Sequence, residues 1–586
     1  MRKHLTVLIV AATCLIAGVA PAAQEPAPVP KNALAYLLIK SPSETSDAAS
    51  RLAQSVGVPL PNLMPLVAAA GLGRGVDQRS EWVFAVLPGT SWLYDPVPML
   101  VLPVSDYQEF ADAVQADPSG ALCSIQLMGE EVLVGRRGDH AMLMNAEHRN
   151  LLTGFLRYES NIRPTMQRVE ATLDDCGAVL VFTRGGLRAM LQPRPKAAPP
   201  GAGDGGYAAA VHKAFWPYAE SLGVLARPLK LQARGAAIGF GIDPPQANQA
   251  PPDQPETLRV KWAVDFPARP SAATPGGEAA RQARVDWMKT FPEKPLVAAA
   301  GGPVSPAGAE RFVQTMIATE RRDAAASGFG QFGAEEWQLI ERCYRDLATG
   351  VRRLAVVVRN PAEDESLFAA LAARVSVDDP DAYLEQIRSY CAAAQKINER
   401  ADTDIRLEYE IQERPFSDDQ GLTVEVDLLQ GAGDENNAVW QLWLQKFLGA
   451  DRKLRVFFGP NGEEEVVVAL QSEQLLDKLI EGPADGGENL TDHPLTKKTL
   501  ALMGDNDGWS ALVSPSGYAA LFQRLIEILS GGWGAAPQMP KFPDCPPIGI
   551  STQLNNGNWS GEIVATLETL QATVKFAREA GMRQPR

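Results

Sequence analysis

The chain has 586 residues, 45% of them hydrophobic and 21% charged, with a formal net charge of −15. That balance excludes global disorder, and the excess of acid argues against nucleic acid or an anionic membrane surface as a partner. At about 100–200 residues per domain, the length requires several structural units.

The first 22 residues have the layout of a secretory signal peptide. A basic stretch, Arg2-Lys3-His4, precedes an apolar run from Leu5 to Val19, and the small residues Ala20-Pro21-Ala22 follow. The run is too short for a comfortable membrane span, so cleavage is expected after Ala22. Cys14 lies inside the run after Ala11-Ala12-Thr13 and lacks the leucine that opens a lipidation motif. Later apolar stretches, such as Leu63 to Gly73 and Leu296 to Gly302, are core-sized, and no transmembrane anchor is expected in the mature chain. The expected location is therefore periplasmic or secreted. Residues 23–31 read as a Pro/Ala tether.

From there the chain reads as one α+β unit written twice, over 32–268 and 293–580, joined by a linker at 269–292. Leu34 to Ile39 is an apolar strand, and Ser41-Pro42 opens a helix. Its counterpart is Leu296 to Ala300 with Ser305-Pro306, and proline in the first turn after serine is a start signal in both. Trp82 to Val86 and Met99 to Val104 lead to an Asp106-capped helix. Leu354 to Val358 and Phe368 to Val377 lead to a helix behind Asp378-Asp379-Pro380. Val132 to Gly135 and Met142 to Met144 form a hairpin, matched by Val456 to Gly459 and Val466 to Val468, with glycines at the same two places. Strand Ala178 to Val181 precedes Gly185-Gly186, as Ser510 to Leu512 precedes Ser516-Gly517. Ala237 to Gly241 and Leu258 to Phe266 close the first copy, and Pro547 to Ser551 and Glu562 to Leu567 close the second. The second copy carries extra material over 405–448, with a hairpin pairing Ile405–Ile411 and Leu422–Leu429. The expected fold is α+β, each domain a mainly antiparallel sheet with packed helices.

Chemistry is sparse along this chain. Beyond the signal segment the histidines are His140, His148, His212 and His493, with neither HExxH nor HxH, so no zinc site is expected. His140 and His148 read as surface or edge residues. No GxSxG elbow and no phosphate-binding GxxxxGK[ST] loop occurs. Gly71 to Gly75 reads as a loop after the second helix. Asp505 and Asp507 before Gly508 resemble part of a calcium loop, but the first ligand place falls on Met503, a poor ligand for a hard cation. No metal, cofactor or catalytic residue is expected. The odd set Cys123, Cys176, Cys343, Cys391 and Cys545 reads as single buried thiols, with Cys343 and Cys391 in helices that a bridge could join. The helix Val439 to Leu448 has a wide aromatic face. Trp440, Trp443 and Phe447 are either core or a partner or ligand surface.

The strand–helix order and the Val104-Ser105-Asp106-Tyr107 segment resemble large, uncharacterised secreted bacterial proteins with duplicated α/β units. That resemblance implies export and a repeated fold, and it carries over no catalytic residue. The expected function is an exported, non-catalytic binding or scaffold protein of the bacterial envelope, with an envelope protein or a small ligand as partner. The alternatives are a carrier of an apolar ligand and a carboxylate-based hydrolase.

Overall fold

The computed structural model describes residues 26–582. It omits 90–95, 128, 159–160, 191–231, 244–256, 268–286, 292–295, 307, 311–312, 315, 319–320, 322–332, 363–364, 401–405, 417–418, 431–443, 450, 482–488, 505–507, 531–537 and 556. The signal segment lies outside this set. The chain forms two compact units. The first runs to Thr274 and takes in Thr552–Val574; the second runs over Pro275–Ser551 and takes in Lys575–Arg586.

In the first unit the sheet starts from β1 (Ala35–Ile39), whose residues are apolar on both faces. Tyr36 and Leu38 enter one core and Leu37 and Ile39 the other, as the two-residue period of a strand requires. β1 pairs on one side with β2 (Trp82–Leu87) and on the other with β7 (Ala178–Thr183). Outward from β2 follow β3 (Val97–Pro103), β6 (His140–Asn145), β5 (Glu130–Arg137) and β4 (Leu122–Leu127). Outward from β7 follow β8 (Gly235–Asp243), β9 (Thr257–Asp265) and β19 (Asn558–Thr566). All of these pairings are antiparallel.

Helices cover both faces of this sheet. α1 (Pro42–Ser55), α2 (Leu63–Ala69) and α3 (Tyr107–Val114) lie on one side, burying Leu52, Leu63 and Phe110. α4 (Arg149–Arg157) and α5 (Arg163–Thr172) lie on the other, burying Leu152, Phe155, Met166 and Val169. Within 23–31, the segment read as a tether, Ala27 and Val29 are buried; the Val29 amide donates to Asn161 Oδ1 at 3.2 Å and its carbonyl accepts from the Ile162 amide.

The second unit is centred on β10 (Leu296–Pro303), which pairs with β11 (Arg353–Arg359) and β17 (Ser510–Val513). Beyond β11 follow β12 (Leu371–Ser376), β16 (Glu465–Leu470), β15 (Lys453–Pro460), β14 (Asp419–Gln430) and β13 (Arg406–Phe416). Beyond β17 lies β18 (Ile548–Asn555). Setting β13 aside, the order β14-β15-β16-β12-β11-β10-β17-β18 matches β4-β5-β6-β3-β2-β1-β7-β8 strand for strand. α8 (Pro380–Arg400) buries Leu384, Ile387 and Cys391 against β14 and β16, with α7 (Ala334–Ala348) beside it, and α9 (Glu473–Glu481) packs on β15 and β16.

Local details match as well. Asp106 Oδ1 accepts from the Glu109 amide and Asp379 Oδ1 from the Ala382 amide, each at 3.0 Å, capping α3 and α8. The Ile162 amide donates to Val29 O, and the Leu490 amide to Phe291 O. α6 (Arg184–Met190) and α11 (Pro515–Ser530) each carry a glycine where the helix meets the central strand. A Cβ on Gly186 would stand 1.8 Å from Leu34 O, and one on Gly517 2.1 Å from Leu296 O. Only hydrogen fits there.

Three further readings from sequence change. Glu562 to Thr566, read as part of the strand that closes the second copy, belongs to β19 and pairs with β9 of the first unit. The 405–448 insertion is narrower than its hairpin suggests, because β14 pairs with β15 as β4 pairs with β5, leaving β13 as the added strand. His140 is a strand residue of β6, 8% exposed and flanked by β3 and β5, not a surface residue.

Candidate binding cavity in the second unit

Residues 538–547 read Gln-Met-Pro-Lys-Phe-Pro-Asp-Cys-Pro-Pro and form no regular element. Proline at 540, 543, 546 and 547 fixes φ and removes four donors, and each residue before a proline is driven to extended backbone. The segment is therefore a stiff strap. It is tied down at both ends: the Met539 amide donates to Gln523 Oε1 at 3.0 Å, and Thr499 Oγ1 donates to Pro547 O at 2.6 Å. Phe542 and Cys545 turn inward and are buried, whereas Lys541 and Asp544 are exposed.

Beneath the strap lies a cavity of about 540 Å³. Its floor is Leu296 at the start of β10 and the first turns of α10 (Pro494–Leu502) and α11. Ser514 Oγ caps α11 by accepting from the Gly517 amide at 3.1 Å and lies 3.2 Å from Ser516 Oγ. Asn360 Nδ2 donates to Gly517 O at 3.2 Å, and His493 Nδ1 caps α10 by accepting from the Leu495 amide at 3.3 Å. Neither helix has an acid in its first turn, so their N-terminal dipoles are uncompensated from within. Leu495, Met539 and Phe542 supply apolar wall. A mostly apolar concavity with a few placed polar groups is the usual construction of a small-molecule site. Ser514 is committed to its own helix as a cap, a structural role. Asp544 is the one carboxylate among the lining residues.

The residues singled out from sequence lie elsewhere. Trp440 and Trp443 fall outside the described residues. Phe447 is half-buried, its ring 6.0 Å from that of Phe368, between buried Leu444 and Leu448. Asp505 and Asp507 also fall outside the described residues. Cys343 and Cys391 are both free thiols, although the neighbouring rings of Tyr344 and Tyr390 are 5.9 Å apart. Among the described residues no group of three or more His, Cys, Asp or Glu could hold a metal ion, and no helix is long and apolar enough to cross a membrane. Of the residues discussed from sequence, His493, Cys545, Leu296, Ser516, Gly517 and Pro547 line the cavity, none of them read there as a site residue. The strap was missed, although four prolines in eight residues mark it.

One polar cluster in the first unit is inward-facing and self-satisfied. Arg163 bonds both Glu81 and Glu170, and the Tyr36 hydroxyl donates to Glu170. Burial, and then the Glu170 charge, push the Tyr36 hydroxyl far above the ordinary phenol range. The cluster ties β1, α5 and the Ala27 carbonyl together and holds no open position.

No family model matches the chain, and no curated protein or solved structure matches it either.

Proposed function

We propose that the protein is an exported, non-catalytic binding protein of the bacterial envelope, built by duplication of one antiparallel unit, whose second copy holds a small ligand. The observation that carries this reading is the cavity of about 540 Å³ under a proline-stiffened strap. A wall that is rigid before the ligand arrives loses little freedom on binding, which favours affinity. The shared strand order, the two matching glycines and the two aspartate caps support duplication. The signal-like first 22 residues support export. A hydrolase of the two-carboxylate kind is disfavoured, because Asp544 stands without a second acid among the lining residues.

The test is native mass spectrometry of the mature protein purified gently from its own host. A stoichiometric small-molecule adduct, lost when Ala519→Trp places an indole in the cavity and takes up part of its volume, is the expected result. Bare protein, or an adduct that survives Ala519→Trp in a folded variant, sinks the cavity as the site.

A further inference from the structure

We infer that the cavity takes a short peptide with both termini free, of about two or three residues. This rests on the binding reading above and names its ligand class.

The strap offers one charge of each sign. Lys541 and Asp544 are exposed, both line the cavity, and neither forms an ion pair with a described residue. Phe542 precedes Pro543 and is driven to extended backbone, and Pro543 fixes its own φ, so the two middle residues of the stretch favour an extended path. At roughly 3.1 Å per residue, three steps separate their Cα atoms by on the order of 9 Å. An extended chain spans at most about 3.3–3.6 Å per residue, so a dipeptide or tripeptide separates its ammonium and carboxylate by a matching distance. A single amino acid is too short to meet both charges. The carboxylate end belongs with Lys541 and the Ser516 hydroxyl, and the ammonium end with Asp544. Met539 and Phe542 also line the cavity and offer apolar wall to small side chains.

The test uses the full mature chain with three probes: tri-alanine, N-acetyl-tri-alanine and tri-alanine amide. Calorimetric titration should show tri-alanine binding, with each blocked form at least tenfold weaker. Lys541→Ala should abolish the preference for the acid over the amide. Asp544→Asn should abolish the preference for the free amine over the acetylated form. Circular dichroism and the melting temperature report whether each variant is folded; both sites are exposed. No binding of tri-alanine at millimolar concentration, or equal binding of all three probes, overturns the inference. If tri-alanine fails while a host-derived adduct is lost in Ala519→Trp, the peptide class falls and the cavity reading stands. If the adduct persists in Ala519→Trp, the cavity reading falls with it.

Discussion

Replacing Gly186 or Gly517 by alanine tests the packing common to both units. Both residues occupy the third position of a helix, α6 and α11. Helix propensity alone predicts that alanine stabilises each by about 1 kcal/mol. The structure predicts the opposite sign. The new Cβ would lie 1.8 Å from Leu34 O in one case and 2.1 Å from Leu296 O in the other, and the obstacle is backbone. Carbon–oxygen contacts settle at about 3.3–3.6 Å, so the helix must retreat by more than about 1 Å. Overpacking of this kind costs about 1–3 kcal/mol. Retreat also strains the cap that Thr183 Oγ1 gives to the Gly186 amide and Ser514 Oγ to the Gly517 amide, worth about 1 kcal/mol. The expected loss is about 2–4 kcal/mol, or roughly 10 °C at about 2–4 °C per kcal/mol for a unit of this size. Differential scanning calorimetry of the mature chain and each variant is the assay. Gly517→Ala should also weaken ligand binding, because Gly517 lines the cavity, and Gly186→Ala should not. A melting temperature unchanged within about 1 °C in either variant would refute the close approach, and with it the argument from matched glycines.

Other outcomes follow from the same geometry. Arg163→Met strands Glu81 and Glu170 at a partly buried site and should cost about 3–5 kcal/mol, read as a lower urea midpoint at unchanged m. Val564→Asp places a charge at a fully buried position of β19 and should raise amide exchange in Thr257–Asp265, its partner strand. Glu425 on β14 faces Arg455 on β15, whose hydrogen bond, with that of Lys453, holds the carboxyl below its ordinary value. A depressed folded-state pKa contributes stability that is present above the ordinary carboxylate range and lost as pH falls through the folded value. Glu425→Gln should therefore be less stable at pH 7, with the gap to the parent closing in acid. Burial pushes the Cys176 thiol up to about 12 and the Cys391 thiol up to about 11. Iodoacetamide at pH 8 should leave both unmodified in the native protein and label both after denaturation, as peptide mapping would show.

Much of the architecture was legible because its signals are local. The apolar runs of β1 and β10, proline after serine at α1, and Asp106 and Asp379 before their helices each act within a few residues of themselves; the glycines at 186 and 517 were visible as a pair, but their reason, the approach to Leu34 O and Leu296 O, is tertiary. The mixed fold with a mainly antiparallel sheet followed from hairpins recurring in one order. The cavity was not legible. Its parts come from β10, α10, α11 and the strap, spread over more than 200 residues of chain, and nothing in one segment specifies the others. Trp440 and Trp443, singled out for the wide aromatic face of their segment, lie outside the described residues, and Phe447 lies away from the cavity lining.

What the sequence determined by itself was many of the elements and their order, since side-chain period, capping and turn chemistry operate over two to four residues. Tertiary structure alone decided which strand lies beside which. The nineteen strands among the described residues carry similar apolar patterns, and any of them could bury a neighbour's face equally well. That is why β14 could be read as an insertion when it occupies the place of β4. It is also why β19, near the C-terminus, could be assigned to the second unit by chain order, although it completes the first unit's sheet by pairing with β9 over nine residues. Chain order limits loop length; the burial of an edge decides its partner.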